Sequence, residues 1–341
     1  MIKRLIRRPD SFRCLFAILL QISIVAIIGQ GAQANTGTDR RFNSTTARHE
    51  PAGARSSAKS IATGVARRLP LAPITIFVDG TEAPRKILHA RLSMPAKTGP
   101  QTLFYPKWIP GEHGPTGPIT DLAGLKITAA GKTIPWRRDD VDMYAFHIEV
   151  AVPATTLEVT LDFLLPSDSA GFSSAASSSS NLDVLSWNQV LLYPEGYGSD
   201  DLTYEATLRL PAGWKYGTAL AVVPLAGVAG QAGIIHFKPV SLTTLVDSPV
   251  ISGSHFRSVK LTEGSAPSFQ IDMVSDSEAA LQMSPEQIAN YTQLVNETNQ
   301  LFGAHHYEHY HFLYTLSDQV AHFGLEHHES SDDRGRTHPA G

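Results

Sequence analysis

Cysteine is almost missing from this chain. Cys14 is the only one in 341 residues. No internal disulfide can form, and a cysteine-ligated zinc site or a catalytic thiol in the body of the protein is excluded. Long apolar runs are scarce too. The longest goes from Cys14 to about Ile28 and is interrupted by Gln21 and Ser23. It falls short of the roughly 20 apolar residues that cross a bilayer. Lys3, Arg4, Arg7, Arg8 and Arg13 precede or open it, and Ala32-Gln33-Ala34 closes it. A basic start, an apolar middle and a small-residue cleavage site read as a signal peptide over 1–34, as against an uncleaved anchor. The expectation is a bacterial protein exported to the periplasm or secreted, with no stable membrane span after cleavage.

Positive charge is lacking where most of the chain lies. The net charge of −4 hides an asymmetry, because residues 71–341 hold 16 basic and 29 acidic residues, a net of −13. An acidic body repels phosphate, so nucleic acid is not an expected partner. The preceding stretch, 35–70, carries seven basic and two acidic residues among Ser, Thr, Ala and Gly and shows no apolar period. It reads as a disordered linker.

From Leu71 the pattern is β. ITIFVDG (74–80), ILHARLSMP (87–95), LKITAAGKTIPW (125–136), MYAFHIEVAVP (143–153), LEVTLDFLLP (157–166) and LTYEATLRLP (202–211) alternate or run apolar, with Gly, Pro or Asp between them. That spacing predicts an antiparallel sandwich or barrel. QTLFYPKWIPGEHGPTGPITDL (101–122) reads as a fixed irregular loop whose Tyr105 and Trp108 plug a core. Glu112 and His113 at its centre are candidate binding residues. NQVLLYPEGYGSDDL (188–202) reads the same way, and SSAASSSS (173–180) reads as a loose surface loop.

Past residue 255 the signals change. PSFQIDMVSD (267–276) reads as a strand. MSPEQIANYTQLVNETNQLFG (283–303) reads as a helix with Ser284 as N-cap, Pro285 in the first turn, Gln287 completing a capping box and Gly303 as the stop. HYHFLYTLSD (309–318) and QVAHFGLEHH (319–328) read as strands. Eight of the 14 histidines lie in 305–341. A metal site is one reading of them, and ordinary hydrogen-bonded histidines are the other.

GLEHHESSDD (324–333) comes close to the HExxH of zinc proteases, but Asp332 stands where the second histidine belongs. No HExxH occurs anywhere in the chain. The polar residues after it, with Gly335 and Pro339, do not make a two-turn zinc helix. GLEHH therefore reads as the end of a strand that presents Glu326 at its edge.

The runs YPKWIPGEHGPTGPITDLAGL, NQVLLYPEGY, LPAGWKYGTAL and AHHYEHYHFLYTLSD…HFGLEHHESSDDR resemble the glycyl aminopeptidase family, zinc metalloproteases that carry a PDZ domain. The resemblance covers roughly 71–334. It implies a mainly β chain: an antiparallel, sandwich-like N-terminal domain over 71–255, then over 256–341 the α+β start of a thermolysin-like catalytic domain. In that family the G-x-E-H strand borders the cleft, and its glutamate meets the free amino group of a peptide substrate. That role carries over to Glu326, with Gly324, Leu325 and His327 as its neighbours. The family's zinc helix and PDZ domain follow this strand, so the expectation is a truncated chain. It would have no catalytic residue, metal ligand or cofactor of its own and no peptidase activity alone, with zinc expected for the full-length family member. A peptide- or partner-binding module and a histidine-cluster metal-binding protein are the alternatives.

Overall fold

Side chains on a strand alternate between faces, so a half-buried strand repeats with period two. The computed structural model describes residues 71–151, 156–168, 175–224, 233–262, 264 and 267–337. The signal segment 1–34 and the linker 35–70 lie outside the described residues. The first strands are β1 (Ile74–Asp79), β2 (Ile87–Pro95), β3 (Gly99–Phe104), β4 (Leu122–Ala129), β5 (Lys132–Ile134), β6 (Trp136–Arg138), β7 (Ala145–Val150) and β8 (Thr156–Leu164). Next come β9 (Leu182–Leu185), β10 (Tyr193–Pro194), β11 (Thr203–Arg209), β12 (Lys215–Gly217), β13 (Ile234–His236), β14 (Val240–Ser241), the short helix α1 (Leu242–Val246) and β15 (Val250–Gly253). The last stretch holds β16 (His255–Lys260), β17 (Ser268–Ser275), helix α2 (Pro285–Phe302), β18 (His309–Leu316), β19 (Gly324–Glu326) and β20 (Ser330–Gly335).

The fold is mainly β, as the alternation predicts. The largest sheet runs β13-β11-β1-β2-β8-β4-β5, with β14 also on β11. A second runs β10-β3-β7-β6 and a third β12-β15-β9. Ile74, Ile76 and Val78 from β1, Leu88 and Leu92 from β2, and Val159 and Leu161 from β8 share one core with Leu103, Phe146 and Ile148 of the second sheet. This is the sandwich. Most of its pairings are antiparallel, but β1 pairs β11 in parallel.

The fourth sheet, β16-β17-β18-β20-β19, follows another rule. β17, β18 and β20 are parallel, and α2 is the crossover between β17 and β18. A parallel pair needs such a crossover, and the helix covers one face of the sheet. Ile288, Tyr291 and Val295 of α2 pack with Phe269, Ile271, Phe312 and Tyr314 on that face. This sheet covers the apolar face of α2 except at the helix end, where Leu301 and Phe302 are exposed. The caps are as read. Ser284 accepts from the Gln287 N–H at 3.1 Å, Gln287 Oε1 accepts from the Ser284 N–H at 2.7 Å, and Gly303 stops the helix at φ 64°.

Three other expectations fail. The described part of SSAASSSS is no surface loop: Ala176, Ser177 and Ser178 are fully buried. Small side chains let this segment lie between other elements. Val184 N–H donates to Ser177 O, Ala321 N–H donates to Ala176 O, and Ser179 Oγ donates to Asp276 Oδ1. Trp108 does not plug the core, being 63% exposed; Tyr105 beside it is fully buried and donates to Gln189 O at 3.1 Å. The run 319–328 is a strand only over Gly324–Glu326, and the polar SSDDRG that follows is an interior strand, β20, between β18 and β19. Its buried Asp332 and Arg334 pair with each other at 2.7 Å, which lets charged residues occupy a covered sheet face.

The capping box and the exposed helix end give contrasting expectations. Ser284→Ala is expected to lower stability by about 1 kcal/mol, the usual worth of an N-cap. Leu301→Ser is expected to change it by less than about 0.5 kcal/mol, as exposed positions do. Urea unfolding of the two variants checks both.

Candidate functional site

The site is built around β19. It is the last strand of its sheet, antiparallel to β20 with Gly324 opposite Asp333, Leu325 opposite Asp332 and Glu326 opposite Ser331. Alternation sends Leu325 inward, where it is buried, and leaves Glu326 exposed on the other face. The strand places the four residues named from sequence, Gly324, Leu325, Glu326 and His327, as one consecutive edge.

Two residues that sequence reasoning missed fix this edge. Asp247, the C-cap of α1, is 6% exposed. Its Oδ1 lies 3.0 Å from His327 Nδ1, and its Oδ2 accepts from the His328 N–H at 2.9 Å and lies 2.7 Å from His328 Nδ1. Burial pushes the carboxyl up, but the bonds from His327 and His328 outweigh it and hold the group below its ordinary value. Gly111 covers the strand from the other side. It has φ +82°, and an added Cβ there would lie 2.7 Å from Leu325 Cδ1 and 3.3 Å from Glu326 O. Only glycine suits that backbone and that approach. The same loop carries Glu112, whose Oε1 is buried without a hydrogen-bond partner.

On the same sheet face as Glu326, the face on which α2 packs, stands a second carboxylate. Asp333 accepts from Ser331 Oγ at 2.7 Å. Burial raises its pKa to about 6, the Ser331 bond works against this, and the charges of Asp332 and Glu326 add to the rise. The signal was present in SSDDRG, whose alternate residues face opposite sides of the sheet, but the stretch was not read as a strand. A sheet edge with two carboxylates, one already reluctant to ionise, has the chemistry to hold a cation such as a primary ammonium group.

The tail histidines meet at most in pairs, as His327 and His328 do at Asp247 and as the His309 and His311 rings do at 5.6 Å. His309 Nε2 lies 2.8 Å from Ala219 O, His311 Nδ1 2.7 Å from Asp272 Oδ2 and His322 Nε2 2.9 Å from Ser317 O. Among the described residues no three His, Cys, Asp or Glu side chains come together to hold a metal ion. The residues described thus do not fit the zinc that the resemblance implies for a full-length protein. No helix among them is long and apolar enough to cross a membrane.

The family description "Peptidase M61 N-terminal domain" matches residues 75–254. The chain belongs to this family. The M61 domain so defined ends just after β15, and the sheet that carries β19 follows it. Among solved structures, an aminopeptidase N family protein from Idiomarina loihiensis shares the fold with a TM-score of 0.61 at 16% identity, over 77% of this chain and 42% of that one. A yeast LTA4 hydrolase in complex with bestatin matches at a TM-score of 0.47 and 9% identity, over 77% of this chain and 40% of that one. An M1 zinc metallopeptidase from Deinococcus radiodurans matches at 0.46 and 12%, over 79% and 61%. The chain thus spans between 40% and 61% of the length of these three proteins. No curated protein matches it in sequence.

The buried carboxylates set a pH dependence. Burial raises the Asp183 pKa to about 7, with Arg334 and Lys86 opposing, and the Asp333 pKa to about 6. Each binds its proton more tightly folded than unfolded. Their contribution to stability is full below the ordinary value of 3.8 and is lost as pH rises through about 6 and 7. The melting temperature is therefore expected to rise as pH falls from 8 to 5. Asp183→Asn is expected to be more stable than the parent at pH 8 and to flatten the profile, as thermal unfolding across this range would show.

Proposed function

We propose that this chain is the N-terminal portion of an exported zinc metallo-aminopeptidase of the glycyl aminopeptidase kind, and that Glu326 receives the amino terminus of the peptide substrate. One observation carries the reading: an exposed carboxylate on the last strand of a sheet, with a second carboxylate near it. Family membership supports a peptidase N-terminal domain. Zinc belongs in this reading to residues beyond those described, and no chemical step is assigned to the chain itself.

The contributions of the chain's residues are binding and orientation. Glu326 and Asp333 offer negative charge to an ammonium group. The free side of β19 offers backbone groups to an extended peptide, the mode in which peptides add to sheet edges. Asp247, His327 and Gly111 hold the strand at its position.

By itself the chain is expected to bind peptides but not to cleave them. Calorimetric titration should show a glycine-initiated peptide binding at least about tenfold more tightly than its N-acetylated form, a difference of about 1.4 kcal/mol. Glu326→Gln should remove the preference. Equal binding of the two peptides would sink the role of Glu326. Chelator-sensitive release of glycine from glycine p-nitroanilide by the pure chain with added zinc would overturn its expected inactivity.

A further inference from the structure

Behind β19, on the face away from Glu326, lies a small cavity lined by Ile109, Asn188, Gln189, Leu325, His327 and Arg334 among others. Four of these side chains are deeply buried: Asn188 and Gln189 are 2% exposed, Arg334 is 6% exposed, and the His327 side chain is 5% exposed. Each has a polar atom with no hydrogen-bond partner in the protein: Asn188 Oδ1, Gln189 Oε1, His327 Nε2 and Arg334 Nη1. Buried polar atoms almost always find partners. Four orphans around one cavity point to a shared partner inside it.

The chemistry of the four atoms says what that partner is. Arg334 Nη1 can only donate, and its Nε and Nη2 are already given to Asp332. The two amide oxygens can only accept. His327 Nδ1 faces the Asp247 carboxylate and donates to it, so Nε2 of the neutral ring is an acceptor. One donor and three acceptors need a bridging molecule that both accepts and donates. Turning the Asn188 or Gln189 amide would set a second donor toward the arginine and leave the mismatch. The cavity has ≈ 20 Å³ of room for water-sized centres. A water needs roughly 10–15 Å³ on that measure. The site thus has room for about one water.

We propose that this cavity is a hydration site, in which one ordered water accepts from Arg334 and donates to two of Asn188, Gln189 and His327. The water holds His327 in the tautomer with its proton on Nδ1. Through that proton it secures the bond to Asp247 that docks β19. His327 is thereby a positioning residue for the edge that carries Glu326. The inference stands whether or not the edge receives a peptide amine.

Two measurements on the full chain test it. A crystal structure at a resolution that orders waters should show a density peak within hydrogen-bond distance of Arg334 Nη1 and of at least two of the three acceptors. A cavity without a peak, direct pairing of the four side chains, or xenon entering under pressure would overturn the proposal, since xenon occupies dry cavities. Nitrogen NMR of the His327 ring should show Nδ1 protonated and Nε2 bare at neutral pH. The signal should shift in Asn188→Leu, in which the site loses one acceptor. A protonated Nε2, or a signal unmoved in a folded Asn188→Leu chain, would overturn the assigned tautomer and its link to the water.

Discussion

A carboxylate taken out of water must be given donors, and Asp247 takes all of its donors named here from two consecutive residues at the far end of the chain. His327 and His328 supply two ring nitrogens and one backbone N–H to it. Removing a hydrogen-bond partner from a buried polar group commonly costs about 1–3 kcal/mol. Because the donors are consecutive, the end of β19 can take only one register against α1. That register determines which side chains of the strand point in and which point out. Leu325 goes inward under Gly111, and Glu326 goes outward beside Asp333. The candidate site is in this sense a consequence of how an aspartate in the sandwich is neutralised.

The same principle governs the seam between the sandwich and the parallel sheet. Leu182, Val184 and Ile251 of the third sheet pack with Val274 and Leu313 of the fourth, but Ser177, Ser178, Asp183, Ser252, Asp272, Ser330, Asp332 and Arg334 are also buried there or nearby. Asp276 ties Ser179 to Ser317, and Asp272 accepts from Gln270 and His311. Polar groups of this kind add little net stability, but each tolerates few alternative arrangements. The apolar cluster across the seam supplies cohesion, and the polar groups beside it specify how the two sheets meet.

Sequence reading succeeded where local chemistry decides the outcome. The capping box at Ser284 and Gln287, the stop at Gly303 and the alternation in β2, β8 and β11 are set by residues within one turn or one strand. It failed where a distant partner decides. Serines 177–179 look like a surface loop until Asp276 and the strands around them are known. The strand SSDDRG looks like a polar tail because nothing local shows that Asp332 and Arg334 neutralise each other across a covered face. Tyr105 and Trp108 both read as core residues but only Tyr105 is buried, since both lie in one proline-bounded loop and only the three-dimensional path separates them. Glu326 could be placed on an edge strand from its motif. Asp247, 80 residues away, could not be connected to it from spacing alone.

The parallel pairing of β1 with β11 has a consequence for how the protein assembles. Asp79 and Arg209, at the ends of these strands, are 130 residues apart in the chain and form an ion pair at 3.4 Å. β1 can zip onto β2 as soon as the intervening turn closes. Its other edge stays open until β11 has been made, and the loop to be closed is long, which slows the step. A chain emerging from the ribosome therefore carries an uncapped central strand, rich in Ile, Phe and Val, while the 130 residues between Asp79 and Arg209 are being made. Such an edge invites pairing with other chains. The time that nascent chains spend before residue 209 is translated is when this protein is most open to aggregation.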